Sequence, residues 1–472
     1  MDMSESPTKV IVVGAGIAGL ATAYYLEKKA REKGSAIQVT LLEASGRIGG
    51  KIITEHVDEF TVEGGPDSFV TEKPAFLELC HDLGLGGDLI PSNEIQRKVY
   101  VLRNGKPIEF PAGFRLTIPT EIKPFIFSPL ISMPGKLRMA MDIFVPPLSG
   151  DGDVTLGEFI GRRLGKEAVD RIAGPLMAGI FVSDPYRLSM KSTFPRFLAM
   201  EKKYGSLIRA ARAGKKNPPP PNPLAAGNAM FNSLKHGVGS ILPALQQRIA
   251  GPIQTNTPVA HIERKGEVLV VVTKQGDRLE ADHVVLCTPA YLTAGMVKAE
   301  SGELAERLNA IRYVSTATVS MGFLLSDLPA GKELDGFGVM IPPSEKRDVL
   351  AVTWSSVKFR HRAPRGCFLL RAFIGGYSNE NAAVQPDDVL LASARKEFES
   401  LFGITQDPIV QRIYRWTKGN PQYDVGHLDR VDELERLATT IPGLHLAGSA
   451  YRGIGMPDCV HSARTVAERI LA

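Results

Sequence analysis

A mixed α/β fold, in which a parallel sheet is assembled from both ends of the chain beside an antiparallel sheet and a helical insertion, is predicted by three observations. The apolar run Val10-Ile11-Val12-Val13 enters Gly14-Ala15-Gly16-Ile17-Ala18-Gly19, and a helical pattern follows at once. A second apolar run, Val39 to Leu42, ends in the acid Glu43. Near the far end, Gly443 to Gly448 reads as a short buried strand that breaks at glycine before a last amphipathic helix.

The glycine turn has a physical reading. Gly14 allows the tight turn, Gly16 lets the backbone approach a phosphate with no Cβ in the way, and Gly19 lets helix pack on strand. A pyrophosphate is therefore expected over Ala15, Ile17 and Ala18, at the helix N-terminus. Glu43 can accept hydrogen bonds from both hydroxyls of an adenosine ribose, which favours a free 2′-hydroxyl over NADP. Together these describe a Rossmann-type dinucleotide domain. The segment after Glu43 separates FAD from NAD: Ala44-Ser45-Gly46-Arg47-Ile48-Gly49-Gly50-Lys51 adds two cations and a glycine pair for a second approach to the pyrophosphate. The turn-rich stretch Glu63-Gly64-Gly65-Pro66-Asp67-Ser68-Phe69 carries two glycines through which main-chain amides can reach a ring edge. Gly453-Ile454-Gly455-Met456-Pro457-Asp458 opens the last helix with an acid near its cap, a further site for anionic or electron-rich ligand atoms.

The 472 residues allow two or three domains, and 44% hydrophobic with 23% charged residues suits a globular chain with a sizeable core. A net charge of +5 gives no reason to expect nucleic acid. Cys80, Cys287, Cys367 and Cys459 are far apart with no CxxC, which suits a reducing compartment and gives no metal signature. The start has acids and no apolar stretch, so no secretory leader is expected and a cytoplasmic location is. The dinucleotide domain is expected to be discontinuous, at 1–90, 235–312 and 425–472. Between its pieces lie a mainly helical insertion at 91–210, a Pro-rich loop and linker at 211–234, and an antiparallel sheet domain at 313–424 with a helix near Asp387 to Leu401. From Pro119 to Val145, apolar residues alternate with prolines and with Lys123, Lys136 and Arg138. No stretch there is long enough to span a membrane. The segment reads either as a helical domain folded over its own core or as a basic, apolar patch meeting anionic lipid at the inner face of the cell membrane.

The glycine turn, Glu43 and the Arg47 segment resemble the extended flavin fingerprint of the superfamily of amine oxidases, phytoene desaturases and protoporphyrinogen oxidases. Further stretches, Gln96 to Val101, Thr155 to Phe159, Ser189 to Pro195, Trp416 with Pro421-Gln422-Tyr423, and Gly453 to Cys459, make the chain most similar to the oxygen-dependent protoporphyrinogen/coproporphyrinogen oxidases of Gram-positive bacteria. This resemblance implies noncovalent FAD in a p-hydroxybenzoate-hydroxylase-like domain. Arg47 would help neutralise the diphosphate, Gly64 to Asp67 would lie against the isoalloxazine, and Val259 would meet the adenine. Gly448, Ile454, Gly455 and Met456 would reach the ribityl chain and pyrimidine edge, with Trp416 near the flavin. It implies oxidation of coproporphyrinogen III by six electrons, with O2 giving H2O2, within haem biosynthesis and beside other enzymes of that pathway.

Such a reaction needs positioning over the flavin more than acid or base, and no catalytic residue is proposed; the histidines are scattered and no metal is expected. The substrate needs cations for its propionates and apolar walls for its pyrroles. Arg97 is the first candidate and Lys73 the second. Segments 92–138 and 201–216 are locally basic, which favours the tetracarboxylate coproporphyrinogen over protoporphyrinogen. Two rivals stand beside this reading. An amine oxidase would carry a lysine in the strand where Thr318 stands, and a delivery protein for the haem pathway would bind without turnover.

Overall fold

A computed structural model describes residues 6–111, 114–115, 118–119, 122–216 and 220–472. Its organising element is a parallel sheet of five strands in the order Ile253–Gln254, Ile37–Leu42, Thr8–Val13, His283–Leu286, Leu444–Leu446. All run the same way, so the turns after Val13, Leu42, Leu286 and Leu446 open at one edge. The opening helix, Ile17–Lys33, and the last helix, Met456–Ile470, pack together on one face. They enclose a core of Val10, Val12, Leu20, Tyr24, Val39, Leu41, Val460 and Val466. On the other face the three-stranded meander Val259–Lys265, Val268–Thr273, Arg278–Ala281 packs with the helix His427–Thr439 around Ile11, Val13, Val271 and Val431.

The second sheet has seven strands, ordered Val410–Pro421, Tyr313–Leu324, Cys367–Gly375, Val349–Trp354, Gly336–Met340, Lys98–Arg103, Lys106–Glu109. It is antiparallel except where Gly336–Met340 runs parallel to Lys98–Arg103. The helix Asp387–Phe402 covers one face, burying Leu390, Ala394, Phe398 and Phe402 against Phe323, Val352 and Leu370. Two stretches differ from the expectation. Residues 98–109 are not helical but form a hairpin that extends this sheet, because Asn104 and Gly105 take the positive φ (51° and 72°) that a tight two-residue turn requires. In the stretch expected to be a Pro-rich linker, a helix runs to Lys216, and Phe231–Leu234 is the central strand of a small sheet between Phe69–Val70 and Leu89–Pro91.

The helical part is built from short pieces: Ile122–Phe127, Met133–Ala140, Leu156–Leu164, Gly174–Ile180, Pro195–Tyr204 and Leu207–Lys216. Thr155 and Glu158 cap the third reciprocally, the Thr155 hydroxyl accepting from the Glu158 N–H at 3.0 Å. Fully buried Arg163 holds this part together: it donates to the Asp142 carboxylate, to Glu201 at 3.0 Å and to the carbonyls of Asp142 and Gly205 at 2.8 Å. Between Pro119 and Val145, Phe125, Leu130, Ile131 and Met139 face the core, while Ile126, Phe127, Met133, Leu137, Met141 and Phe144 are exposed. No helix among the described residues is long and apolar enough to cross a membrane.

Candidate functional site

The C-terminal edge of the parallel sheet, where ligands of open α/β sheets sit, gathers the stretches singled out in the sequence. Gly14 has φ +99°, and a Cβ on Gly19 would lie 1.8 Å from the Gly14 carbonyl oxygen, so both positions require glycine. No side chain caps the opening helix at Gly16, and a Cβ there would meet only the Gly50 Cα, at 4.0 Å. The first-turn N–H groups of Ile17, Ala18 and Gly19 thus border open space, a cradle for an anion. The Gly49-Gly50 turn is held beside it by the Gly49 N–H, which donates to the Ala15 carbonyl at 2.7 Å.

Glu43 is fixed at the same edge. Its carboxylate accepts from the Ala15 N–H and from the Ser45 N–H and hydroxyl, each at 2.8 Å. Exposed Ala44 lies between. Thr257 donates its N–H to the Glu43 carbonyl at 2.8 Å, which brings buried Val259 to the ribose end of the cradle. The two cations are less free than the sequence suggests. Arg47 donates to the carbonyls of Gly50 at 2.6 Å and Ile52 at 3.4 Å within its own loop, and the Lys51 ammonium donates to the Gly419 carbonyl.

The flavin-loop candidate Gly64-Gly65-Pro66-Asp67 rests on the first three strands of the seven-stranded sheet, Val410–Pro421, Tyr313–Leu324 and Cys367–Gly375. The Gly64 carbonyl accepts from three donors, the Trp416 indole at 3.0 Å, the Arg371 guanidinium at 3.1 Å and the Thr318 hydroxyl at 3.2 Å. Arg371 also donates to the Gly65 carbonyl at 2.6 Å, and its buried Nε has no partner among the described residues. Asp67 accepts from the Lys358 ammonium at 3.0 and 3.1 Å. Burial pushes the Asp67 carboxyl up, but Lys358 and Arg371 outweigh it and bring its pKa down to about 2. Glu63 is buried beside Arg362, at 3.3 Å, and accepts from the Val238 N–H at 2.8 Å. The loop is therefore an anionic ribbon clamped by Lys358, Arg362 and Arg371. None of these three was singled out in the sequence, although an arginine inside the apolar run Phe368 to Ile374 is the kind of signal that marks a buried, partnered cation.

From the C-terminal stretch, Gly448 is buried with φ +118°, its Cβ position 3.7 Å from the Ala18 Cβ. Tyr423 clips the segment after it, donating its hydroxyl to the Ser449 carbonyl at 2.8 Å and accepting from the Gly453 N–H at 2.9 Å. The ring of His427 stacks on Tyr423 at 3.9 Å and donates Nε2–H to the Tyr451 carbonyl at 2.7 Å. Burial pulls its pKa down to about 4, so it is neutral. Ile454 packs against the helical part, Met456 against the parallel-sheet core, and Gly455 donates its N–H to Asp458 at 3.2 Å. The two substrate candidates are engaged elsewhere: Lys73 with Asp458 at 2.7 Å, and Arg97, 69% exposed, with Glu94 at 3.1 Å. Other cations of the basic segments also have partners. Lys98 pairs with Asp335, Lys136 donates to the Ile126 carbonyl, and Arg138 donates to the carbonyls of Arg162 and Arg163.

An open anion cradle, an acid at the end of the second strand, and an unpartnered guanidinium nitrogen under a glycine loop fit a flavin dinucleotide spanning this edge. Comparison with known proteins agrees. A coproporphyrinogen III oxidase from Bacillus subtilis is 34% identical, over 98% of this chain and 97% of its own. The chloroplastic protoporphyrinogen oxidase 1 of Arabidopsis thaliana is 28% identical, over 97% of this chain and 86% of its own. A crystal structure from Exiguobacterium, provisionally named protoporphyrinogen oxidase, superposes with a TM-score of 0.87 at 32% identity, covering 98% of this chain and 99% of that one. The model of the flavin containing amine oxidoreductases matches residues 17–471. The chain belongs to the flavin-containing amine oxidoreductase family, and its cofactor is FAD.

Proposed function

We propose that the protein oxidises coproporphyrinogen III to coproporphyrin III in haem biosynthesis, with O2 as acceptor, and that it also takes protoporphyrinogen IX. The observation that carries this reading is the likeness, along nearly the whole chain, to coproporphyrinogen III oxidases. Bound FAD supplies the acceptor for two electrons in each of three rounds, so that six hydrogens leave the macrocycle and three O2 become three H2O2. The rest falls to the chain. Ile17, Ala18 and Gly50 offer main-chain groups to the pyrophosphate, beside Ala15, whose N–H is already held by Glu43; Arg47 and Lys51 would have to leave their carbonyl partners to serve as its cations. Glu43 and Ala44 meet the ribose and Val259 the adenine. Gly64, Gly65, Pro66 and Asp67 line the flavin ring with Trp416, while Gly448, Ile454, Gly455 and Met456 line its ribityl chain and pyrimidine edge. The domain division given by the sequence is proposed with three changes: residues 98–109 join the sheet domain, 211–216 the helical insertion, and 231–234 the dinucleotide domain.

Thr318 argues against amine oxidation: its hydroxyl is bonded to the Gly64 carbonyl where an amine oxidase of this superfamily would place a lysine. Arg97 and Lys73 remain the propionate candidates, each exchanging a carboxylate of the protein for one of the substrate. The exposed apolar side chains between Ile126 and Phe144 favour a second element of the proposal, peripheral contact with an anionic membrane. The deciding assay follows porphyrin fluorescence and peroxide together from each porphyrinogen. Three peroxides per porphyrin, with coproporphyrinogen the faster, is the expected result. Porphyrin binding without peroxide identifies a delivery protein, and faster protoporphyrinogen turnover overturns the preference. Arg97→Ala should raise KM with little change in kcat, and an unchanged KM removes Arg97 from the site.

A further inference from the structure

A second cleft, of about 930 Å3, lies at the far end of the seven-stranded sheet, between the loop that follows Tyr313–Leu324 and the segment that precedes Cys367–Gly375. These strands pair to their last residues, Leu324 opposite Cys367. Thr318, which touches the flavin loop, is six residues back along the strand, so at the rise of a β-strand the cleft is about 20 Å away. The cleft has apolar walls, among them Leu328, Leu334, Val357 and Phe368, and three cations, Lys332, Arg360 and Arg365, against one lining acid, Glu333. Lys332 reaches the Leu401 carbonyl at 3.4 Å. Arg360 and Arg365 are exposed, and neither guanidinium has a hydrogen-bond or ion-pair partner among the described residues. Their neighbours on the same segment contrast with them: Lys358 and Arg362 turn the other way, to Asp67 and Glu63. One cationic stretch thus serves two faces, with its inner charges neutralised by the flavin loop and its outer charges left open over an apolar floor.

Apolar walls with unpaired guanidinia at the rim recognise a flat apolar body bearing several carboxylates. We propose that this cleft is a second binding site, separate from the flavin, for a tetrapyrrole polycarboxylate of the class the enzyme releases. The proposal rests on the porphyrinogen reading of the flavin site.

The test is equilibrium titration of oxidised coproporphyrin III onto the FAD-loaded enzyme, with coproporphyrinogen III turnover recorded on the same preparation. The wild type should bind two equivalents. The Arg360→Glu/Arg365→Glu variant should lose the second equivalent, or weaken it about tenfold or more, with initial-rate KM and kcat unchanged. Ala330→Trp, which fills the cleft without changing its charge, should do the same. A single equivalent in the wild type overturns the proposal, as do two undiminished equivalents in both variants or displacement of the second porphyrin by equimolar citrate, which would mean charge alone is read. Turnover with one site overturns this proposal only. An enzyme without turnover overturns the functional reading, and the second site with it.

Discussion

Arg371 is the single charged residue of the strand core that runs from Phe368 to Ile374; its Nη2 donates to both glycine carbonyls, and its buried Nε has no partner among the described residues. Its hydrogen bonds to Gly64 and Gly65 fix the height of the glycine loop above the sheet, so its replacement moves the surface proposed to carry the flavin. Arg371→Met, close in length but without donors, should weaken FAD retention by about 10- to 100-fold, as expected for losing a charge-assisted contact of ~1.5–3 kcal/mol. Dialysis against FAD-free buffer followed by the flavin absorbance checks this, and unchanged retention would show that Gly64 and Gly65 hold their place unaided. Asp67 gives the same loop a pH signature. Its pKa is lowered in the folded protein from 3.8 to about 2, so its ion pairing stabilises the fold fully above about pH 4 and is lost as pH falls from there towards 2. Asp67→Asn should therefore be less stable than the wild type by on the order of 2 kcal/mol at neutral pH. Urea titrations should find that gap closing below pH 4, and a gap that stays constant to pH 2 would show that Lys358 and Arg371 do not act through the charge.

At the scale of elements, locally closed structure is legible in the sequence. The strand, glycine turn and helix of residues 8–33, the acid at the end of the second strand and the helix at Asp387 all come from short-range patterns, because their hydrogen bonds and apolar faces close within tens of residues. The hairpin Lys98–Glu109 was missed, although Asn104-Gly105 between alternating residues is a hairpin turn signal, because its nearest partner strand lies beyond residue 330. The clamp of Lys358, Arg362 and Arg371 was missed for a related reason: its carboxylates, Glu63 and Asp67, are nearly 300 residues away, and only the packing of the short helical segment 355–362 against the strand Phe60–Glu63 and its following loop brings them together. The cations read as one basic surface prove to be divided. Several of those in segment 92–138 donate to helix carbonyls, while Arg163, outside both basic segments, is buried as the centre of the helical part. Arg163→Ala leaves the fully buried Asp142 without its ion-pair partner, while Glu201 keeps Arg162, and an uncompensated buried charge costs about 3–5 kcal/mol. The expected outcome is loss of the helical part's protection from proteolysis while the parallel sheet still takes up flavin. Equal resistance in mutant and wild type would mean that the ion cluster is replaceable.

For the whole molecule, the distribution of surface decides where other bodies can meet it. The parallel-sheet domain turns its apolar residues inward on both faces, whereas the helical part leaves Phe127 at 84% and Phe144 at 77% exposed, with Leu137, Met133, Met141 and Ile126 nearby in sequence. Such a set does not follow from the core's needs, since Phe125, Leu130, Ile131 and Met139 already fill it. Lys123 and Arg138 lie within the same stretch, but Arg138 is committed to helix carbonyls, so attraction to anionic lipid must rely on few charges and insertion on the aromatic rings. Burying a phenylalanine ring contributes about 2 kcal/mol. The variant Phe127→Ser/Phe144→Ser should therefore lose several hundredfold to about a thousandfold in partitioning onto vesicles of anionic phospholipid, with porphyrinogen turnover in detergent-free solution unchanged. In the proposed membrane contact the rings would carry most of the binding, so raising the salt should weaken wild-type sedimentation with vesicles only modestly. Wild-type protein that stays in the supernatant at low salt would exclude the membrane and leave this face to another protein.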